Sequence, residues 1–261
     1  MLPWCVAAVS GSTNTGSVDL VGELASLCAQ HGMWLHVDAA YGGAVRLSAR
    51  EAWRVPGLEL ADSVTVDPHK WFFQPYDIGA LMVRRVDDLL ATFHGDPEYY
   101  RHTRPEDEPL HWYRYSFEGT RRFRALKLWA SWKHLGTEGF ARLIEANVSL
   151  AAHLARRCRE SDDFDVCPEE PELSVVCFRH LPGGVAAAGA MDPQALDRHQ
   201  DLLQRALEQS GEGWVSTTRL RGRTYLRAGI VNYLSADTDV ERMLDALRRL
   251  ARDLPAVAAG S

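Results

Sequence analysis

The sequence predicts an α/β protein, in which part of a mixed sheet is followed by a small α+β domain. Three observations lead there. Apolar runs at residues 4–9 and 33–37 flank a helical stripe of Val18, Val21, Leu24, Ala25 and Leu27, forming a β-α-β unit. Apolar runs at residues 63–66 and 78–83 are joined through Gln74, Pro75, Tyr76 and Asp77, a connection too short for a crossover, so the later strand turns back antiparallel. After residue 160, short strand-like and helix-like segments alternate.

Each element has a local cause. The helix over residues 18–30 ends near Gly32, a residue suited to a left-handed cap. The strand ending at Val66 is rich in β-branched residues, and Pro68 stops it. Residues 94–109 (H-G-D-P-E-Y-Y-R-H-T-R-P-E-D-E-P) carry no apolar period. A polar loop of this length is usually functional, so an active-site lid is expected there. Helices follow over 121–135 and 139–157, then a strand over 173–178, a helix over 193–209, strands near Val215 and Tyr225, and a last helix over 240–250. The domain boundary is placed inside the second long helix, giving domains of residues 1–150 and 151–261.

Composition narrows the function classes. The 261 residues are 46% hydrophobic, enough for a substantial core, and show no repeat or low-complexity tract. A formal charge of -6 and a pI near 5.9 supply no basic field for nucleic acid or an anionic membrane, so a small molecule is the expected partner. Cysteines 5, 28, 158, 167 and 177 are odd in number and lack a C-x-x-C pair, which argues against a disulfide framework or a zinc knuckle and for reduced core thiols. The apolar start has no basic n-region and is too short to span a bilayer, so a cytoplasmic protein is expected.

The chemistry concentrates in D-P-H-K-W at residues 67–71 and H-V-D-A-A-Y at 36–41. Lys70 projects from the loop beyond a strand end, where open α/β sheets place their sites. A lysine that forms a Schiff base must be partly neutral, which desolvation or a cationic neighbour such as His69 favours. Asp38 ends an apolar strand, where a buried carboxylate needs a cation. A protonated pyridine nitrogen would meet that need and would make the ring an electron sink. Ala39 and Ala40 are small enough to leave room for a flat ring. The plainer readings are a solvated lysine, a turn aspartate and close packing. Residues 36, 38, 67 and 69 also make a set of possible metal ligands, the basis of a rival metal-dependent hydrolase.

Five segments occur in order: G-S-T-N-T-G-S-V-D (11–19), W-L-H-V-D-A-A-Y-G-G (34–43), A-D-S-V-T-V-D-P-H-K-W (61–71), D-P-E-Y (96–99) and T-R-R-F-R-A-L-K-L-W (120–129). Together they resemble the group II pyridoxal-phosphate (PLP) amino-acid decarboxylases, the family of aromatic-L-amino-acid, histidine and glutamate decarboxylases. The resemblance runs from about residue 3 to about residue 250. It implies PLP fold type I, aspartate aminotransferase-like, in a dimer with active sites at the subunit interface. Residue by residue it implies Lys70 as the Schiff-base lysine and Asp38 as the partner of the pyridine nitrogen. Ala40 would lie against the ring and Thr13 near the phenolic oxygen, although residues 12–17 also read as a phosphate nest. Asp67 and His69 would lie beside the cofactor, and Gly119 and Thr120 would reach the phosphate of the neighbouring subunit, supported by Arg121, Arg122 and Arg124, unless these arginines form only a solvated helix start. Tyr99 resembles the mobile-loop tyrosine that returns a proton to the substrate α-carbon after carbon dioxide leaves; its neighbour Tyr100 competes for that role. A phenylalanine there is associated in the family with oxidative deamination, so tyrosine favours simple decarboxylation of an L-amino acid, with aromatic substrates implied by the resemblance alone.

Two departures stand out. The family has a further N-terminal half, which carries the turn that grips the phosphate, the histidine that stacks on the ring and the helices that build the dimer. Without it, the first and fourth strands should be exposed sheet edges, which aggregate unless paired. The expectation is therefore a two-polypeptide enzyme, a dimer or dimer of heterodimers whose second chain supplies that half, or alternatively a truncated, non-catalytic partner-binding subunit. The second departure is Asp67, where some relatives carry asparagine beside the phosphate; a carboxylate there repels the dianion unless protonated or turned away.

Overall fold

The computed structural model describes residues 2–93 and 111–258. The first module is a sheet of β1 (Cys5–Val9), β2 (Trp34–Asp38), β3 (Ser63–Val66) and β4 (Ala80–Val83), in that spatial order. β1, β2 and β3 run parallel and β4 antiparallel, although residues 67–79 join β3 to β4 and β4 starts at Ala80 rather than Ile78. Helix α1 (Val21–His31) joins β1 to β2 and closes on Gly32, whose φ of 62° is the left-handed cap. It starts three residues later than the apolar stripe suggests. Val18 bridges to Ser10, and Asp19 exchanges hydrogen bonds with Val9 through both backbone and carboxylate, so these residues extend the pairing with β1. Short 3₁₀ turns occupy much of residues 42–60, and α2 (Val86–Phe93) follows β4; neither was expected from the sequence, because single turns and a two-turn helix leave little period to read.

The second module is an antiparallel sheet in the order β5 (Phe164–Val166), β6 (Val175–His180), β8 (Arg223–Gly229), β7 (Ser216–Leu220). It is packed by α5 (Pro193–Ser210) and α6 (Asp237–Arg252), with one turn, α4 (Val185–Ala188), before α5. Asp192 caps α5 through hydrogen bonds from the N–H groups of Gln194 and Ala195, and Pro193 sits at the first helical position. Every residue of β6 is buried.

Helix α3 (Ala125–Arg159) serves both modules. Phe140, Ile144 and Val148 enter the first core, while Leu150, Ala151, Leu154 and Cys158 enter the second. The break expected between two helices falls at Gly136, whose φ of 64° and ψ of 175° kink α3 there. Its first turn begins four residues late because Arg122 and Arg124 turn outward to Asp77. β1 and β4 are the sheet's edges, and Leu81 and Met82 on β4 are each 52% exposed. All five cysteines are free. Burial pushes the Cys158 thiol up to about 12 and Cys177 to about 11, so both stay protonated. No helix among the described residues is long and apolar enough to cross a membrane.

One buried pair makes the second module sensitive to acid. His180 Nδ1 and His199 Nε2 are 2.9 Å apart, and both rings are buried. Gln200 closes the pair by accepting the His180 N–H and donating to its carbonyl. Burial, then the neighbouring His180, lowers His199 from 6.5 to about 4. Burial likewise lowers His180, with Asp163 opposing and Arg248 reinforcing. The unfolded chain therefore binds more protons between these values, so this stability is present above pH 6.5 and is lost as pH falls toward 4. Urea unfolding should show a loss on the order of 2 kcal/mol between about pH 7.5 and 5. His199→Gln, which retains a donor for His180 but does not titrate, should flatten that slope; an unchanged slope would exclude the pair as its origin.

Candidate active site

Parallel register brings the expected residues together. Asp38 lies opposite Thr65 where β2 and β3 end, and the loops beyond them are joined by the Asp67 N–H donating to the Ala40 carbonyl at 3.1 Å. The Ala39 N–H donates to Thr65 as well. Asp38 Oδ1 accepts from the Ala40 N–H at 3.0 Å and the Thr65 hydroxyl at 3.4 Å. Asp38 is exposed, so the burial cost that the sequence suggested is not incurred by these residues alone. Strand alternation explains this, since Leu35 and Val37 face the core while residues 34, 36 and 38 face the other side.

Beyond β3, Asp67 is the hub. Its Oδ2 lies 2.9 Å from Lys70 Nζ and 3.8 Å from His69 Nε2. A Cβ added at Gly79 would stand 3.1 Å from Asp67 Oδ1, so the absence of a side chain there leaves room for the carboxylate. The carboxylate is thus turned toward Lys70. The other side of the His69 ring is fixed: its Nδ1 is 2.5 Å from the Ile78 carbonyl, and the ring stacks on Tyr76 at 4.4 Å.

Trp71 fixes this loop. It is fully buried, and its indole N–H donates to Asn147 Oδ1 at 3.0 Å, while Asn147 Nδ2 donates to the Asn232 carbonyl at 3.0 Å. Tyr41 stacks on Trp71 at 4.9 Å, and its hydroxyl lies 2.5 Å from that of Ser174. Burial raises Tyr41 to about 12, opposed by the Ser174 hydrogen bond and the Arg227 charge, so it is neutral at physiological pH. Asn147 was missed from the sequence, although a polar residue on the stripe Phe140, Ile144, Val148 and Ala151 is a readable anomaly.

Thr13 lies in a loop that starts beside Asp38, through the Ser10 N–H donating to the Asp38 carbonyl at 2.8 Å. Hydroxyl bonds from Ser12 to Thr15 and Ser17 close that loop. Gly119 and Thr120 are exposed, five and four residues before the start of a latch onto the loop beyond Lys70. There Arg124 meets Asp77 at 2.9 Å, Lys127 donates to the Pro75 carbonyl and Ser131 to Gln74. The Arg124 hydrogen bond is the main cause that lowers the Asp77 carboxyl. Tyr99, Tyr100 and the expected lid lie outside the described residues.

Among the described residues no three His, Cys, Asp or Glu side chains converge to hold a metal. His36 Nδ1 instead pairs with the Ser63 hydroxyl at 2.8 Å.

Residues 1–181 match the pyridoxal-dependent decarboxylase conserved domain. The chain belongs to the pyridoxal-dependent decarboxylase family. It is 32% identical to an aromatic-L-amino-acid decarboxylase of Bacillus atrophaeus over 97% of this chain and 52% of that protein. It is 30% identical to an aspartate 1-decarboxylase of Aliivibrio fischeri, over 95% of this chain and 47% of that protein. Two solved structures share the fold. Mouse CSAD in its apo form has a TM-score of 0.88 at 29% identity, over 97% of this chain and 53% of the other. Oryza sativa TDC, solved with PLP and tryptamine, has a TM-score of 0.85 at 29% identity, over 95% and 50%. The fold is PLP fold type I. The chain spans about half the length of the curated relatives it matches.

The pyridoxal-dependent decarboxylase frame makes the Trp71 anchor a stability determinant of the lysine loop. Asn147→Ala would strand a buried indole N–H and the Asn232 carbonyl. It should cost about 1–3 kcal/mol, read as a lower urea midpoint; a midpoint equal to that of the parent would show that water replaces the amide.

Proposed function

We propose that this chain is the lysine-bearing part of a PLP-dependent L-amino-acid decarboxylase that converts an aromatic L-amino acid to its amine and carbon dioxide. The observation that carries this reading is the placement of Lys70 and Asp38 beyond the ends of adjacent parallel strands, tied by the Asp67 to Ala40 hydrogen bond. An amine, a carboxylate and a small residue at that point fit the aldehyde, the ring nitrogen and the flat face of PLP. Lys70, Asp38 and Ala40 supply the ring end of the site only; the phosphate cradle is expected from the family's N-terminal half.

When bound, PLP supplies an aldehyde that condenses with amines and a protonated ring that accepts the electrons released with carbon dioxide. Lys70 Nζ would hold the cofactor aldehyde. The Asp38 carboxylate, oriented by its bonds from Ala40 and Thr65, would keep a proton on the ring nitrogen. Asp67 would hold the Lys70 amine whenever it is free of the cofactor. Tyr99, a proton donor at neutral pH, returns a proton to the substrate α-carbon. Resemblance to the Bacillus atrophaeus enzyme supports an aromatic substrate, while the Aliivibrio fischeri relative makes aspartate the competing choice.

The same proposal has the family's N-terminal half cover the exposed face of this chain. The exposed apolar surface supports it. Phe117 is 88% and Phe123 75% exposed, and an apolar groove of about 580 Å³ lined by Leu58, Val64, Met82 and Trp132 lies open on the first sheet.

Lys70→Ala should abolish both the visible absorption of bound PLP and carbon dioxide release, and a spectrum unchanged from the parent would sink the assignment. Tyr99→Phe should lower amine formation by about 10²–10⁴-fold with PLP still bound, as expected for loss of a general acid. Purification of the chain together with a polypeptide carrying a phosphate-binding turn would test the companion directly.

A further inference from the structure

The loop that carries Thr13 is gripped from the second module. Arg227 Nε donates to the Thr13 carbonyl at 2.8 Å and to the Asn14 carbonyl at 3.2 Å. Cys177 Sγ donates to the same Asn14 carbonyl at 3.2 Å. Both donors come from one cross-strand pair, because Cys177 lies directly opposite Arg227 between β6 and β8. Directly opposed residues of an antiparallel ladder share a face, so the two side chains reach the loop as a unit. A third hold comes from Glu172, whose carboxylate accepts the Val18 N–H at 2.9 Å. At the other end the loop is fixed to the strand terminus by Ser10, bonded to the Asp38 carbonyl.

Inside the loop, Gly11 and Gly16 adopt φ of 100° and 74°, and the Ser12 hydroxyl bridges Thr15 and Ser17. Those bonds fix the loop's shape but not its position relative to Asp38. Arg227 supplies the position. A guanidinium donating to two successive carbonyls is a charge-assisted, directional contact that a flexible ammonium reproduces only in part. Gly229 leaves space beside it: a Cβ there would come within 3.3 Å of Arg227 Nη1.

We propose that Arg227 is a positioning residue for the candidate cofactor site: paired with Cys177, it sets the Thr13–Asn14 peptide and so the placement of Thr13 in the loop that starts at the end of the Asp38 strand, without itself belonging to the sheet whose end carries Lys70. This rests on the reading of Thr13 as a cofactor-facing residue. It goes beyond that reading in making the second module a determinant of cofactor affinity.

Hydrogen exchange resolved by peptide separates positioning from mere stability. In Arg227→Met, amides of residues 12–18 should exchange about tenfold faster, the scale of one lost charge-assisted hydrogen bond, while those of β6 keep the parent's rates. The PLP dissociation constant, read by absorbance in the preparation that contains any copurifying polypeptide, should rise by a similar factor. Arg227→Lys should recover part of both effects. If Arg227→Met does not fold, Arg227→Gln carries the same comparison. Equal acceleration in loop and strand, or no change in the loop, overturns the proposal. A parent that binds no PLP while the loop still loosens in Arg227→Met would instead sink the functional reading and leave the positioning intact.

Discussion

The indole N–H of Trp71 is buried where water cannot reach it, and only Asn147 on α3 satisfies it. Left unmade, that bond would cost the full desolvation of the donor. The loop beyond β3 therefore has one position in which it can close, with Trp71 under the sheet and Lys70 carried to the surface beside it. Because α3 also continues into the second core through Leu150 and Leu154, the position of the lysine is referred to both modules at once. Tyr41, stacked on Trp71 and bonded to Ser174, repeats the arrangement from the loop after β2.

Around that anchor the charges are arranged by strand alternation. The apolar residues of β2 and β3 turn one way, and the polar face carries His36, Asp38 and Thr65. Asp38 can remain exposed here at little cost. A ligand that covered it would remove its water, and only a cationic or proton-donating group would then compensate. Lys70 has its own counter-ion in Asp67, so the two carboxylates divide the work: one serves the amine, the other is left for whatever is bound.

Much of this was legible in the sequence. The strands follow from their apolar runs, and Lys70, Asp38 and Ala40 lie at strand ends because Pro68 and the turn after Asp38 set those ends. The start of α1 was misplaced because Val18 and Asp19 suit a helix by period but satisfy their backbone through β1, a partner the local pattern does not contain. His69 was read as a cationic neighbour of Lys70; its Nδ1 is held by Ile78, nine residues on, and its Nε2 lies 3.8 Å from the Asp67 oxygen that pairs with the amine. Arg227 had no readable signal at all, since its acceptors are more than two hundred residues away and are backbone atoms that any residue would supply.

The boundary between cores is consequently not a boundary of the site. Leu173 packs in the first core although it lies only two residues before β6, and Val175, Cys177 and Tyr225 form a small cluster with Tyr41. Strand β6 is buried along its whole length, so its Cys177 cannot shift without disturbing the second core, and that rigidity passes to the Asn14 carbonyl it meets. A loop closed only by its own hydroxyls would sample many placements against Asp38. Held instead by a strand from another sheet, it loses that freedom during folding, so the ordering cost is already met before any ligand arrives.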